Sequence, residues 1–336
     1  MEHSHTIFAR ANLASSYRRL GKHTEAETLN IQVLDARKRI LGVGHPHTIF
    51  AMANLACSYI DLGKYTEAET LQIQVLDEMK RILGVEHPHT FLAMGNLACT
   101  YRDLRKYTEA EKLEIQVLDA MKRILGMEHP DAIRAMANLA VTYRSLGKYI
   151  KAKQLEIQVL DARKRILGVE HPDTIRAMAN LAATYHDLEI YKEAEKLEIQ
   201  VLDARRRIFG VEHPNTIRAT GNLASTYRNM GKYNEAEKLE IQVLDVRHRI
   251  FGEKHPDTIN AVANLAATYQ YLGKLTEAEK LEIIVLDVRN RIFGEEHQDT
   301  LIAMGNLAIT YRYLGKCKEA EKLDIQVLKE IGRAHV

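Results

Sequence analysis

The sequence predicts an all-α solenoid built from eight helix–turn–helix repeats, and three observations carry this prediction. The length of 336 residues divides into eight copies of 42 with nothing left over. One histidine and one asparagine recur at that interval in every copy, from His3 and Asn12 onward. Periods of about 20 to 50 residues are typical of stacked repeats, which bury their apolar faces against their neighbours. We therefore expect one array over residues 1–336, with copies near 1–42, 43–84, 85–126, 127–168, 169–210, 211–252, 253–294 and 295–336.

The first helix of each copy is visible in the spacing of its apolar residues. In the second copy, large and small apolar residues from Met52 to Leu62 fall at intervals of three and four, which is one face of a helix. Gly63 follows, in the place of a helix C′ glycine. A proline stands at the start of this helix in most copies and predicts a fixed joint, because its φ suits a first helical position. These prolines are Pro46, Pro88, Pro130, Pro172, Pro214 and Pro256.

The second helix of each copy begins and ends at recognisable signals. Thr66 stands three residues before Glu69, a spacing that predicts a capping box at the helix start. A second apolar stripe runs from Ala68 to Leu83, and Gly84 ends it. No alternating β-branched run or Asn-Gly hairpin competes with this interpretation.

The repeat resembles the tetratricopeptide repeat. The motifs that carry the resemblance are Asn-Leu-Ala-x-x-Tyr (54–59), Gly-Lys-Tyr-x-Glu-Ala-Glu (63–69) and Leu-Gly-x-x-His-Pro (83–88). Ala56 replaces the usual glycine and Gln72 the usual aromatic residue. The 42-residue period is similar to that of kinesin light chain and nephrocystin-like arrays, and above all of the arrays of fungal and bacterial NOD-like receptor proteins. The resemblance implies a right-handed superhelix, a role as a protein–protein interaction scaffold, and a concave groove lined by the first helices.

Composition and motifs exclude several function classes. Apolar residues make up 46% and charged residues 27%, a balance typical of a folded chain, and no apolar run is long enough to cross a bilayer. The net charge of +2 provides no general field for nucleic acid. No phosphate loop, dinucleotide fingerprint or His-Glu-x-x-His motif is present, so we expect no enzyme and no cofactor. We expect a cytoplasmic protein with no membrane partner, and with Cys57, Cys99 and Cys317 as reduced thiols.

Two repeated side-chain patterns have a structural and a functional interpretation. His45 and His47 flank a proline and invite a metal hypothesis, but no further ligand is evident nearby, so we favour a structural joint and predict no metal site. Asp35 and Arg39, four residues apart, recur as a pair in the second helices. We interpret them as exposed ion pairs, each worth about 0.3–0.5 kcal/mol.

The candidate binding site is the face of the first helices that differs between copies. It combines an asparagine row with arginines in the central copies, and Arg side chains pair bidentately with carboxylates. We therefore predict that a peptide or protein segment, with acidic character, binds this groove, and that changing Arg134, Arg176 and Arg218 to Glu abolishes binding. The predicted groove residues are Asn54, Asn96, Asn138, Asn180, Asn222, Asn264, Arg134, Arg176, Arg218, Arg144 and Arg228.

Other interpretations of the same pattern stay open at this point. Exposed positions drift freely, so variation alone does not prove selection for a ligand. The asparagine row could instead hydrogen-bond helix to helix. The similarity of the copies also suits a spacer, or a consensus-like rod that self-associates through its first and last copies, neither of which shows a polar capping helix.

Overall fold

Every copy folds into two α-helices, as the sequence predicts. The computed structural model describes residues 4–333, and side chains as far as residue 330. Within these residues there are sixteen helices and no strand, and the all-α repeat fold is confirmed. Chain contacts divide the protein into two units of four repeats, unit 1 (residues 1–168) and unit 2 (residues 169–336), so a single array stays a prediction. His3 and the side chains of residues 331–336, on which part of the end-association prediction rests, lie outside the described residues.

In each unit the helices pack in chain order, each against the next. Unit 1 contains α1 (Ser4–Arg19), α2 (His23–Leu41), α3 (Pro46–Asp61), α4 (Tyr65–Leu83), α5 (Pro88–Asp103), α6 (Tyr107–Leu125), α7 (Pro130–Ser145) and α8 (Tyr149–Leu167). Unit 2 contains α9 (Pro172–Asp187), α10 (Tyr191–Phe209), α11 (Pro214–Asn229), α12 (Tyr233–Phe251), α13 (Pro256–Tyr271), α14 (Leu275–Phe293), α15 (Gln298–Tyr313) and α16 (Cys317–Arg333). No helix among the described residues combines the length and the apolar character that crossing a membrane requires.

The joint histidines are helix N-caps. In α3, Nδ1 of His45 accepts a hydrogen bond from the backbone N–H of His47 at 3.2 Å, and Pro46 takes the first helical position. The same bond recurs in the later joints, including that of His297, where Gln298 stands in place of proline. An N-cap acceptor satisfies one of the backbone donors left open at a helix start. The histidines of the joints, such as His45 and His297, therefore have a structural role. The described residues contain no group of three metal-ligating side chains.

The turn inside each repeat is a Schellman motif. Gly63 adopts φ +73°, its N–H bonds to the carbonyl of Ile60, and the N–H of Lys64 bonds to the carbonyl of Tyr59 at 2.8 Å. This turn brings the chain directly into the next helix, because the carbonyl of Lys64 already accepts the N–H of Ala68. The predicted capping box is therefore wrong: α4 begins before Thr66, whose side chain caps nothing.

The core follows the predicted stripes except at one end. Met52, Leu55 and Ala56 of α3 are at most 3% exposed and pack within unit 1. In the stripe of α4, Ala68 and Val75 are buried and Leu71 and Met79 half-buried, whereas Ile82 and Leu83 are about 40% exposed and do not belong to the core. The helix itself ends at Gly84, as predicted. The corresponding apolar residues at the ends of α6 and α8 are exposed in the same way.

Ion pairs connect successive repeats. Nζ of Lys64 lies 2.6 Å from Glu27 in the preceding repeat, and this lysine–glutamate pair recurs in both units. The predicted Asp–Arg pairs four residues apart form in α12 and α14, at 3.2 Å and 2.9 Å. In α8 and α10 the prediction is wrong, because Arg165 and Arg207 pair with a glutamate of the preceding joint, at 2.8 Å and 2.9 Å. The glutamate belongs to another segment of the chain, so the spacing of residues along one helix cannot predict this ion pair.

Candidate functional site

The asparagine row lies on the first helices with its amides unpaired. Asn54, Asn138 and Asn180 are half-buried, whereas Asn96, Asn222 and Asn264 are exposed. Within residues 4–333, no hydrogen bond joins these amides to another residue, so they do not hold helix to helix. Both the donor and the acceptor of each amide are therefore available to a ligand.

The three arginines predicted to bind acidic groups have different neighbours. Arg134 pairs with Asp131 at 2.7 Å, and Arg176 pairs with Asp173 at the same distance. Arg218 has a neutral partner instead: it donates to the amide oxygen of Asn215 at 3.1 Å. An acid one turn away offsets the first two charges, whereas Arg218 keeps its charge uncompensated.

In unit 2 the structure brings four predicted residues to one cavity of about 250 Å³ between α11, α12 and α13. These are Arg218, Asn222, Arg228 and Asn264. The second helix adds Arg247, which donates to the backbone carbonyl of Asp257 at 2.8 Å. The cavity is thus lined by three arginines but by one carboxylate, Glu240, and it is electropositive. We call it the basic cavity.

An equivalent cavity lies three repeats earlier, in unit 1. It measures about 470 Å³ between α5, α6 and α7, and it includes Asn96, Asn138 and Arg134 of the predicted site. Leu92 stands where the basic cavity has Arg218, and Met121 stands where it has Arg247. We call it the apolar cavity. The two cavities share one backbone design and differ in charge, so they form a matched pair within one chain.

Arg228 contributes to packing as well as to the cavity wall. Its guanidinium lies 3.0 Å from Glu240, a side chain only 5% exposed. Burial raises the pKa of Glu240, and the Thr268 hydroxyl and Arg228 oppose that rise. The charge of Arg228 is therefore largely neutralised by Glu240 of the same repeat. Arg144 occupies the same repeat position in unit 1, opposite Glu156.

The sequence analysis interpreted this arginine position as a variable groove position, but in several copies its side chain pairs with the residue twelve positions later; in the first repeat Arg18 bonds to Asp61 instead. Arg102 pairs with Glu114 at 2.7 Å, Gln270 donates to Glu282 at 2.8 Å, and Arg312 pairs with Asp324 at 2.6 Å. In the second repeat the two positions are uncharged, as Ile60 and Gln72. The signal that sequence reasoning missed is this correlated change twelve residues apart.

Glu198 is the buried carboxylate whose expected arginine is absent. The opposite position is His186, whose Nε2 lies 2.9 Å from the side-chain amide of Asn229. Burial raises the pKa of Glu198 to about 7; the Thr226 hydroxyl lowers it, and the nearby Glu195 raises it further. A carboxylate 6% exposed is thus left without a guanidinium partner.

Two glycines mark close-approach points in the two cavities. Gly221 lines the basic cavity and Gly95 the apolar cavity, both inside helices; the last repeat has Gly305 at this position and the remaining repeats have alanine. A Cβ added at either position would meet nothing within 4 Å. Nothing in the chain requires glycine there, although glycine inside a helix costs about 0.5–1 kcal/mol relative to alanine. Helical glycine without a packing reason is typical of a place where another molecule approaches the backbone.

We expect Gly221→Ala to raise the free energy of unfolding by about 0.5–1 kcal/mol, because alanine loses less backbone entropy in a helix. Urea unfolding followed by circular dichroism measures this change. The reverse change at the equivalent position of the next repeat, Ala263→Gly, should lower the stability by a similar amount. A loss of stability on Gly221→Ala would show that the glycine has a packing role.

The comparisons with known proteins agree with this architecture. The sequence profile described as tetratricopeptide repeat matches residues 6–71, 54–123, 100–165, 131–207, 191–247, 215–282 and 259–329. Nearly identical TPR-like repeats of a Podospora anserina protein, described as a kinesin light chain, are 28% identical, with a TM-score of 0.56, covering 62% of this chain and 99% of that chain.

Two solved structures of lower identity share the fold. A STAND protein with a tetratricopeptide repeat sensor from Pyrococcus horikoshii is 15% identical, with a TM-score of 0.68, covering 97% of this chain and 47% of that chain. The apo form of the quorum sensor NprR from B. thuringiensis is 13% identical, with a TM-score of 0.58, covering 97% and 98%. No curated protein matches the chain significantly.

Proposed function

Because the chain belongs to the tetratricopeptide repeat family, we propose that it is a binding scaffold whose first helices hold an acidic segment of a protein or peptide. Tetratricopeptide repeats generally mediate protein–protein interactions, and the fold is generally a non-catalytic scaffold. The basic cavity is the subsite that we assign to an acidic side chain of the ligand.

The observation that carries this proposal is the charge difference between the two equivalent cavities. Arg218 and Arg247 bond to neutral oxygens, whereas Glu240 has Arg228 as its own partner. A carboxylate entering the basic cavity therefore meets two guanidinium groups that form no ion pair with an acid of the described residues. Hydrogen bonds to charged groups are worth about 1.5–3 kcal/mol each, and less where water competes.

The remaining lining suits a ligand main chain. Asn222 and Asn264 present unpaired amides from neighbouring first helices. Gly221 beside them leaves room for backbone to approach backbone. The amides would hold the ligand's peptide groups while the arginines select its acidic side chains.

The test exchanges the residues that distinguish the two cavities. We expect Arg218→Leu/Arg247→Met to weaken binding of a fluorescein-labelled oligoglutamate peptide at least tenfold in fluorescence anisotropy, because the variant replaces both uncompensated charges. Both replacements already occur at the equivalent positions of the apolar cavity, so the helices should accept them. The reverse exchange in unit 1, Leu92→Arg/Met121→Arg, should strengthen binding of the same peptide.

Matched controls separate a specific site from general charge. Arg134→Leu removes one positive charge that Asp131 already offsets, and it should change the affinity less than twofold. Equal affinities of the wild type and Arg218→Leu/Arg247→Met would contradict the proposal. Failure of acidic, neutral and basic peptides alike to bind the wild type would favour the alternative function, a spacer without a dedicated ligand.

A further inference from the structure

A second cleft in unit 2 lies outside the candidate groove. It measures about 430 Å³ between α10, α11 and α12, and shares only Val243 with the residues of the basic cavity. Ile217, Val243 and Val246 form its buried apolar floor, and Val211 of the joint lies beside them. The other six lining residues are polar or charged, and a cleft of this size with an apolar floor and polar groups around it suits a small molecule.

The cleft lies where one side chain is shorter than in most repeats. Thr220 stands where five other repeats carry a buried methionine, while Arg10 and Val262, the latter similar in size to threonine, occupy the position in the remaining two. The methionines are Met52, Met94, Met136, Met178 and Met304. The hydroxyl of Thr220 donates to the backbone carbonyl of Thr216 at 3.0 Å, so its proton needs no acceptor from the cleft. The floor next to it is therefore left apolar and incompletely filled.

The rim of the cleft carries one cation without a carboxylate partner. Arg249 is bonded to Glu212 at 2.6 Å and to Asp245 at 3.2 Å, so its charge is already taken up by two carboxylates and this group is negative by one charge. Arg206 donates to the side-chain oxygen of Gln242 at 3.2 Å, and no carboxylate among the described residues pairs with it. The cleft thus combines an apolar floor with a half-buried guanidinium open to an anion.

We propose that this Thr220 cleft binds a small organic acid, with its apolar body on Ile217, Val243 and Val246 and its carboxylate on Arg206. An apolar body is stabilised because it fills space that water fills poorly. Arg206 now donates to Gln242, which is a neutral acceptor. The ligand's carboxylate would take the place of Gln242 and give Arg206 a charged acceptor instead. The site is independent of the peptide groove.

The test uses 3-phenylpropanoate and its uncharged amide as probes with the full chain. We expect saturation-transfer difference NMR to detect the acid on the wild type, and at least tenfold weaker binding to Thr220→Met, which introduces the methionine found in five other repeats. Arg206→Gln should weaken binding of the acid about tenfold and leave the amide unchanged.

Several outcomes would overturn the proposal. Equal binding of the acid to the wild type and to Thr220→Met would place the probe elsewhere, and absence of binding to the wild type at millimolar concentration would leave the cleft a packing defect. Equal effects of Arg206→Gln on acid and amide would remove the anion site. Circular dichroism of both variants controls for folding, and oligoglutamate binding should remain at the wild-type level in both.

Discussion

Replacing Arg102 with isoleucine should lower the free energy of unfolding by about 3 kcal/mol, because it leaves a buried carboxylate without its cation. Glu114 is 4% exposed, and Arg102 lies 2.7 Å from it. Removing one partner of a buried ion pair typically costs about 3–5 kcal/mol, whereas replacing both partners is often nearly neutral. Burial already raises the pKa of Glu114, and the Thr142 hydroxyl and the positive charge of Arg102 oppose that rise.

The second repeat shows which double replacement should restore the stability. There the same two positions are Ile60 and Gln72, and the repeat folds in the same way. We therefore expect Arg102→Ile/Glu114→Gln to recover most of the stability that Arg102→Ile loses. Urea unfolding of the wild type, the two single variants and the double variant gives the coupling energy directly. Additive effects of the two substitutions would show that the residues do not act as a pair.

This pair illustrates where prediction from the sequence succeeds and where it stops. The period of 42, the proline at the start of the first helix and the glycine at its end predict the helices, since each signal acts within a few residues of chain. Which side chains meet between helices depends on how the helices cross, and no local pattern reports that. Arg228 was consequently predicted as a groove residue alone, although Glu240 on the neighbouring helix binds it.

A second limit comes from the repetition itself. A residue that recurs in every copy can be recognised from the sequence as structural, but the hydrogen bond that it forms cannot. His45 is visibly part of a joint, yet its N-capping bond depends on the tautomer and on the turn that follows. The capping box at Thr66 was wrong for a related reason, because the Schellman turn at Gly63 starts the helix before the threonine. In the groove, the asparagine row could be located from the sequence, whereas the ion pair of Asp131 with Arg134 was missed although the two residues are only three apart on one helix.

Replacing Glu198 with glutamine should stabilise the protein at pH 8 by about 2–3 kcal/mol and leave it unchanged near pH 4.5. The pKa of Glu198 is raised by burial from its ordinary value of 4.5 to about 7 in the folded protein. Between these values the folded state holds a proton that the unfolded state has released, so stability falls as the pH rises. Each pKa unit corresponds to about 1.4 kcal/mol, and the full cost is reached above pH 7. Urea unfolding of the wild type and Glu198→Gln across pH 4.5 to 8 measures the difference.

Two further variants test whether the missing cation is the cause. Glu282 accepts a hydrogen bond from neutral Gln270 at 2.8 Å, and burial raises its pKa to about 6, so Glu282→Gln should give a smaller gain of about 2 kcal/mol at pH 8. Glu240 faces Arg228, and Glu240→Gln should give the smallest gain, because burial raises the pKa of Glu240 but the lost ion pair with Arg228 offsets most of the benefit. The expected order of gain is therefore Glu198, then Glu282, then Glu240, which follows the partner at the opposite position: histidine, glutamine, arginine. Equal gains in all three variants would mean that burial alone, and not the partner, determines the cost of the carboxylate.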